Sequence, residues 1–169
     1  MKRPSASSDV ALRRMKTQRR RDTKPELEVR RAVFALGLRY RVDVAPIPGR
    51  RRADLVFTRA RVAVYVDGCF WHGCPQHATQ PKANSEWWVT KLARNRERDE
   101  DTHARIVAAG WFPLRVWEHE VPAIAASRIA AVVGARLARF SVIPIRHHVG
   151  KGSDGNGYEA AVGSFVGGD

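Results

Sequence analysis

The stretch Val62 to His77, VAVYVDGCFWHGCPQH, constrains this chain most. Val62-Ala63-Val64-Tyr65-Val66 is short, rich in β-branched residues and uncharged, the pattern of a buried strand. Asp67-Gly68 ends it. Cys69, Cys74 and His77 follow at C-x4-C-x2-H spacing, with His72 inside the loop and Phe70-Trp71 between the polar groups. A strand that delivers soft ligands, an extra His and two large aromatics to one loop points to a site and not only to a core.

At 169 residues the chain is one domain plus tails, and 44% hydrophobic residues are enough for a real core. Thirty Lys and Arg against 17 Asp and Glu give a net charge of +13. Such a field attracts polyanions, with nucleic acid the first choice. The plainer alternative is a basic protein without such a partner; the clustering of the Arg weighs against it. Two cysteines, close together and beside His, do not make a secreted disulfide scaffold. The expectation is an intracellular, cytoplasmic, nucleoid-associated protein. No apolar run is long enough to span a membrane, so no membrane partner is expected. The N-terminus lacks the apolar centre of a secretory signal. An Arg-rich, Ser-containing start imitates a transit peptide, but the Arg continue into the folded part.

Residues 1–22 read as a basic arm, either ordering on DNA or remaining a solvated tail. Thr23-Lys24-Pro25-Glu26 is a helix start with the signature of a capping box. Val29, Ala32, Val33 and Leu36 then share one helical face, and Gly37 stops the helix. Leu38 to Val42 reads as a strand. Arg50-Arg51-Arg52 sit on a loop suited to phosphate contacts. Ala53 to Phe57 is a second strand, forming an antiparallel hairpin with Val62–Val66. Ser85 starts a long helix that runs to about Ala109. Its middle is dense in both charge signs, mostly a solvated face of ion pairs, with Lys91, Asn95 and Arg98 as open exceptions. Trp111 to Trp117 is a further strand, which Pro113 places at an edge or a bulge. Pro122 to Phe140 is an amphipathic helix. The division is therefore an arm over 1–22, a folded domain over 23–140 and a disordered tail over 141–169.

Two constellations carry chemistry. Cys69, Cys74, His77 and His119 are a candidate tetrahedral zinc set that would tie two strand ends together. The bland alternative is two buried thiols and surface histidines. The second constellation is Asp54, the end of the Val62–Val66 strand, and His72. Magnesium needs oxygen ligands, which the Asp54 carboxylate and the Val66 carbonyl would supply; His72 suits a general base. Asp54 is otherwise a carboxylate exposed at the start of its strand. Glu26 is either a cap or an acid near the metal. Phe70 and Trp71 are either core aromatics or wedges that unstack a mismatched step.

The pattern DGCFWHGCPQH, preceded by RDTKPE and followed by NSEWWVTKLARNRERD and VWEHE, resembles the very short patch repair endonuclease family. The likeness runs from about Met15 to about Phe140. It implies an α/β, restriction-endonuclease-like fold, with a mixed central sheet flanked by helices and a structural zinc. It implies magnesium-dependent nicking of double-stranded DNA 5′ of the T in T:G mismatches left by 5-methylcytosine deamination. By the same resemblance Asp54 and Val66 hold magnesium, His72 is the catalytic histidine and Glu26 an acid near the site. Phe70 and Trp71 match the intercalating rings, Met15 a wedge from the opposite groove, and Asn95 an Asn beside the active site. With Arg50, Arg51 and Lys91, these form the expected DNA-binding set. Two positions depart from the pattern. Ala53 replaces a Pro before the metal-binding Asp, and Asp67 stands where some members carry a second active-site His. A monomer is expected, with other mismatch-repair proteins as candidate partners. The rival readings are a restriction-type or structure-specific nuclease and a non-catalytic, zinc-stabilised DNA-binding module.

Overall fold

The computed structural model describes Arg13, residues 21–79 and residues 81–141. Met15, most of the basic arm and nearly all of the tail lie outside the described residues.

Around the buried strand the chain builds a four-stranded mixed sheet in the order β1-β2-β3-β4. The strands are β1 (Arg41–Val44), β2 (Ala53–Phe57), β3 (Val62–Asp67) and β4 (Phe112–Trp117). β1 pairs antiparallel with β2, and β2 with β3. β3 pairs parallel with β4, in register from Val62↔Phe112 to Asp67↔Trp117. A four-residue turn suffices for the β2–β3 hairpin, closed by the Arg61 N–H on the Thr58 carbonyl at 3.2 Å. Parallel strands cannot be joined that way and need a long crossover. Here it contains α2 (Cys69–His72) and the 24-residue α3 (Ser85–Ala108). α1 (Lys24–Ala35) precedes the sheet and α4 (Pro122–Ser141) follows it.

Strand alternation sorts the side chains. Leu55, Phe57, Val62, Val64 and Val116 turn to one face, where they bury Val29 and Val33 of α1 and Ala125, Ala126, Ile129 and Val133 of α4. Val56 and Ala63 turn to the other face with Tyr65 and Trp111. α3 lies against α2 and β4 and buries Thr102 and Ile106.

The first strand is Arg41–Val44 and not Leu38–Val42. Gly37, at φ 79°, turns the chain out of the helix, and ladder pairing with β2 begins only at Arg41. Leu36, expected on the apolar face of α1, is the C-cap residue and is 52% exposed, because the helix ends at Ala35. Thr23 is the N-cap but makes no side-chain cap bond. Instead the Glu26 carboxylate accepts the Asp22 N–H at 2.8 Å and the Thr23 hydroxyl at 2.9 Å. Pro113 is accommodated because β4 is an edge strand. No helix among the described residues is long and apolar enough to cross a membrane.

Leu55 is fully buried at the centre of the main core. Leu55→Ala is expected to cost about 2–5 kcal/mol in chemical denaturation, whereas Leu36→Ala, at an exposed helix end, should stay within about 0.5 kcal/mol.

Candidate active site

Where β2 starts and β3 ends, a cleft of about 860 Å³ opens between the sheet, α1 and α3. Asp54 stands on its floor. Its Oδ2 accepts the Val66 N–H at 2.7 Å, which ties the start of β2 to the end of β3. Burial pushes the Asp54 carboxyl up to about 6; the Val66 bond opposes this and the charge of Glu26 adds to it. Asp54 is therefore not an acid exposed at a strand start. It is a largely desolvated carboxylate beside a second one, the arrangement that a cation relieves. Glu26 is itself buried and bonded to Arg30 at 3.0 Å, so it caps α1 and also lines the cleft. The Tyr65 hydroxyl, pushed up to about 12 by burial, stays a neutral phenol.

His72 closes α2 and lines the same cleft. Its Nδ1 lies 2.6 Å from Oδ2 of Asp99 on α3. Burial disfavours the imidazolium, but the Asp99 bond and the charges of Asp67 and Asp99 outweigh it, so the His72 pKa is raised. Asp99 moves the other way: burial is overcome by the His72 bond and by Arg115. An ionised Asp99 only accepts, which keeps a proton on His72 Nδ1, so that in the neutral imidazole Nε2 is the base. Asp67, 3% exposed, is held by Arg115 at 2.6 Å. Burial raises its pKa despite the opposing charges of Arg115 and His72.

Above this polar floor stands a group of rings. Phe70 packs edge-on against Trp71 and Trp88, each at 5.1 Å between centroids, and Trp87 continues the group at 4.8 Å from Trp88. Phe70 and Trp71 are half-buried. Asn95 is buried; its Nδ2 donates to the Trp71 carbonyl at 3.3 Å, so it anchors α2. Gly73 ends that short helix at φ 67°, and a side chain there would meet Arg96 at 3.2 Å.

Beyond the loop, Cys69, Cys74, His77 and His119 converge, with their ligand atoms all within 4.8 Å of one another. Cys69 Sγ lies 3.1 Å from His119 Nδ1. Burial and the Cys74 sulfur push the Cys69 thiol up to about 11. Two thiols crowded with two imidazoles have the donor chemistry of a metal site, because a cation favours the thiolates that burial opposes.

Of the Arg50-Arg51-Arg52 loop, two members are engaged within the protein. Arg51 donates to the Asp101 carboxylate at 2.5 Å and to the Thr102 hydroxyl at 2.6 Å, and Arg52 donates to the Asp43 carbonyl at 2.7 Å. Both line the cleft, as does Lys91, but Arg50 does not. Asp99, Arg115 and Trp88 were not singled out from the sequence. A periodic signal exists for α3: Trp88, Lys91, Asn95, Arg98, Asp99 and Thr102 line the cleft at spacings of three and four. It is hidden in a charge run that elsewhere faces solvent.

A family model described as DNA mismatch endonuclease Vsr matches residues 8–78. The type II nicking enzyme V.NaeI of Lentzea aerocolonigenes is 50% identical over 111 residues, covering 64% of this chain and 67% of that protein. V.NmeDIP of Neisseria meningitidis serogroup C, also a type II nicking enzyme, is 41% identical over 109 residues, 63% of this chain and 72% of that protein. The DNA mismatch endonuclease Vsr of Escherichia coli strain K12 is 35% identical over 99 residues, 58% of this chain and 62% of that protein. Together with the cleft, these likenesses define a hydrolase that cleaves DNA. The chain belongs to the Vsr family of DNA mismatch endonucleases.

The raised pKa of Asp54 has a sign that stability measurements can read. Its folded value of about 6 lies above the ordinary 3.8, so its burial costs nothing below about pH 4 and its full amount above about pH 6. Asp54→Asn keeps an acceptor for the Val66 N–H and removes the charge. It is expected to be more stable than wild type by on the order of 1–2 kcal/mol at neutral pH, with the gain vanishing towards pH 4 in pH-resolved thermal unfolding.

Proposed function

We propose that this protein nicks double-stranded DNA 5′ of the T in a T:G mismatch, by magnesium-dependent hydrolysis within residues 23–140. The observation that carries the reading is the His72–Asp99 pair, at 2.6 Å, lining one cleft with the desolvated Asp54 and with Trp71, Trp87 and Trp88. The mixed sheet with helices on its faces agrees with a restriction-endonuclease-like fold.

Asp54 and the main-chain carbonyl of Val66 would hold magnesium, which supplies positive charge at the phosphate and acidifies water. The remaining work falls to side chains. His72 Nε2 takes the proton of the attacking water while Asp99 holds the imidazole by Nδ1. The new P–O bond forms from that water, and the bond from phosphorus to the leaving sugar oxygen breaks. Glu26 keeps the N-terminal turn of α1 against the cleft. Phe70 and Trp71, backed by Trp88, part the base stack, and a mismatched step opens at lower cost than a paired one. Arg50, Lys91 and Met15 contact the DNA, Arg51 braces the loop against α3, and Asn95 keeps the wedge loop seated. Cys69, Cys74, His77 and His119, whose ligand atoms converge, would hold structural zinc.

Strand-specific nicking of three labelled duplexes, T:G mismatched, fully paired and A:C mismatched, with magnesium and with EDTA, tests this. Nicking of the T strand of the T:G duplex alone, dependent on magnesium and lost in both Asp54→Ala and His72→Ala, is the expected result. Cleavage of the paired duplex would move the protein to a restriction-type specificity. Binding without any cut, across several methylated flanking sequences, would leave the chemistry unsupported. The zinc assignment has a separate readout. One equivalent of zinc is expected by atomic absorption, and Cys74→Ser should lose it together with several degrees of thermal stability.

A further inference from the structure

The cleft contains two carboxylates within reach of one imidazole, and a single cation separates them. His72 Nδ1 lies 2.6 Å from Asp99 Oδ2 and 3.9 Å from Asp67 Oδ1. Arg115 spans both acids: one guanidinium nitrogen sits 2.6 Å from Asp67 Oδ2 and 3.4 Å from Asp99 Oδ2, the other 3.3 Å from Asp99 Oδ1. The parallel register places Arg115 opposite Tyr65, two residues before Asp67, and its guanidinium lies 5.6 Å from the Tyr65 ring centroid. The planar fork therefore has a floor to rest on and two anions to span, a geometry that a lysine ammonium does not reproduce.

We propose that Arg115 is a positioning residue of the nicking reaction: by bridging Asp67 and Asp99 it holds Asp99 on His72 Nδ1 and keeps Asp67 from capturing the imidazole. This deepens the proposed function and rests on its reading of His72 as the base. The consequence of removing Arg115 follows from the distances. Asp67 is 3% exposed and would lose its strong cationic partner. The nearest positive group left to it is His72, and the imidazole would swing towards Asp67 and away from its alignment with Asp99. Displacing a base by about an ångström costs turnover and not substrate binding. Asp67 and Arg115 thus work as a unit: each charge is tolerable only because the other is present.

The test uses the full-length protein on whichever of the three duplexes the wild type cuts. Arg115→Met should lower kcat about 100-fold with KM unchanged, and Arg115→Lys should fall between the two. The double variant Asp67→Asn/Arg115→Met removes the competitor together with its partner, and should recover about tenfold over Arg115→Met alone. The His72 Nδ1–H resonance, read by NMR, should keep one chemical shift in the wild type and the double variant and move in Arg115→Met, where Asp67 becomes its acceptor. Full kcat in Arg115→Met while His72→Ala is inactive overturns the proposal, as does a double variant no better than the single. Full turnover by His72→Ala would instead remove the base assignment. The Nδ1–H signal then still decides the matter for Arg115, since an unmoved signal in Arg115→Met shows that the guanidinium does not hold the pair. If Arg115→Met fails to fold, the charge-free double variant carries the comparison: a moved Nδ1–H signal there likewise overturns the role assigned to the pair.

Discussion

The parallel pairing of β3 with β4 is the constraint on which the rest of this molecule depends. A parallel neighbour cannot be reached by a tight turn, so the chain must leave the sheet and come back. That excursion is where the functional groups are carried. The loop leaving β3 brings Cys69, Cys74 and His77, and the end of β4 brings His119 to meet them. The return helix α3 brings Asp99 to His72 and Asn95 to the main chain of Trp71. The register itself sets Arg115 beside Tyr65 and within reach of Asp67. An antiparallel β4 would run the other way, and His119 would leave the Cys69 end of the sheet.

Electrostatics gives this scaffold its function at some cost in stability. The chain is strongly basic, yet the cleft collects Glu26, Asp54, Asp67 and Asp99. Each acid is handled differently. Glu26 is paired with Arg30 and a backbone N–H, Asp67 with Arg115, and Asp99 with His72 and Arg115. Asp54 is left with one backbone N–H and a pKa near 6, a poor arrangement for a structural residue and a fitting one for a group that meets a cation. The positive field outside and the acidic floor inside fit a protein that draws in a polyanion and cuts it at one point.

Much was legible along the chain. β2, β3, α3 and α4 follow from apolar runs, caps and breakers, because those signals are local and strong. The four Cys and His residues converge as their spacing and strand-end positions suggested. Less legible was β1, where Gly37 at positive φ and the need for a ladder partner moved the strand to Arg41–Val44. The Arg loop read as suited to phosphate contacts; that Arg51 and Arg52 also bond within the protein, to partners on other elements, was not legible.

The sequence by itself determined the elements, the basic field and the types of residue available for chemistry, since propensity, periodicity and composition act between near neighbours. It also carried the family, through motifs that keep their order along the chain. Only the tertiary structure decided which acid serves which histidine. Asp99 is 27 residues from His72 and Arg115 is 48 from Asp67, and the helical spacing that puts Asp99 on the face of Asn95 does not say which histidine it meets. That pairing is settled by burial and by distances that exist only once β4 has returned beside β3, where a desolvated carboxylate must find a partner or pay heavily for standing alone.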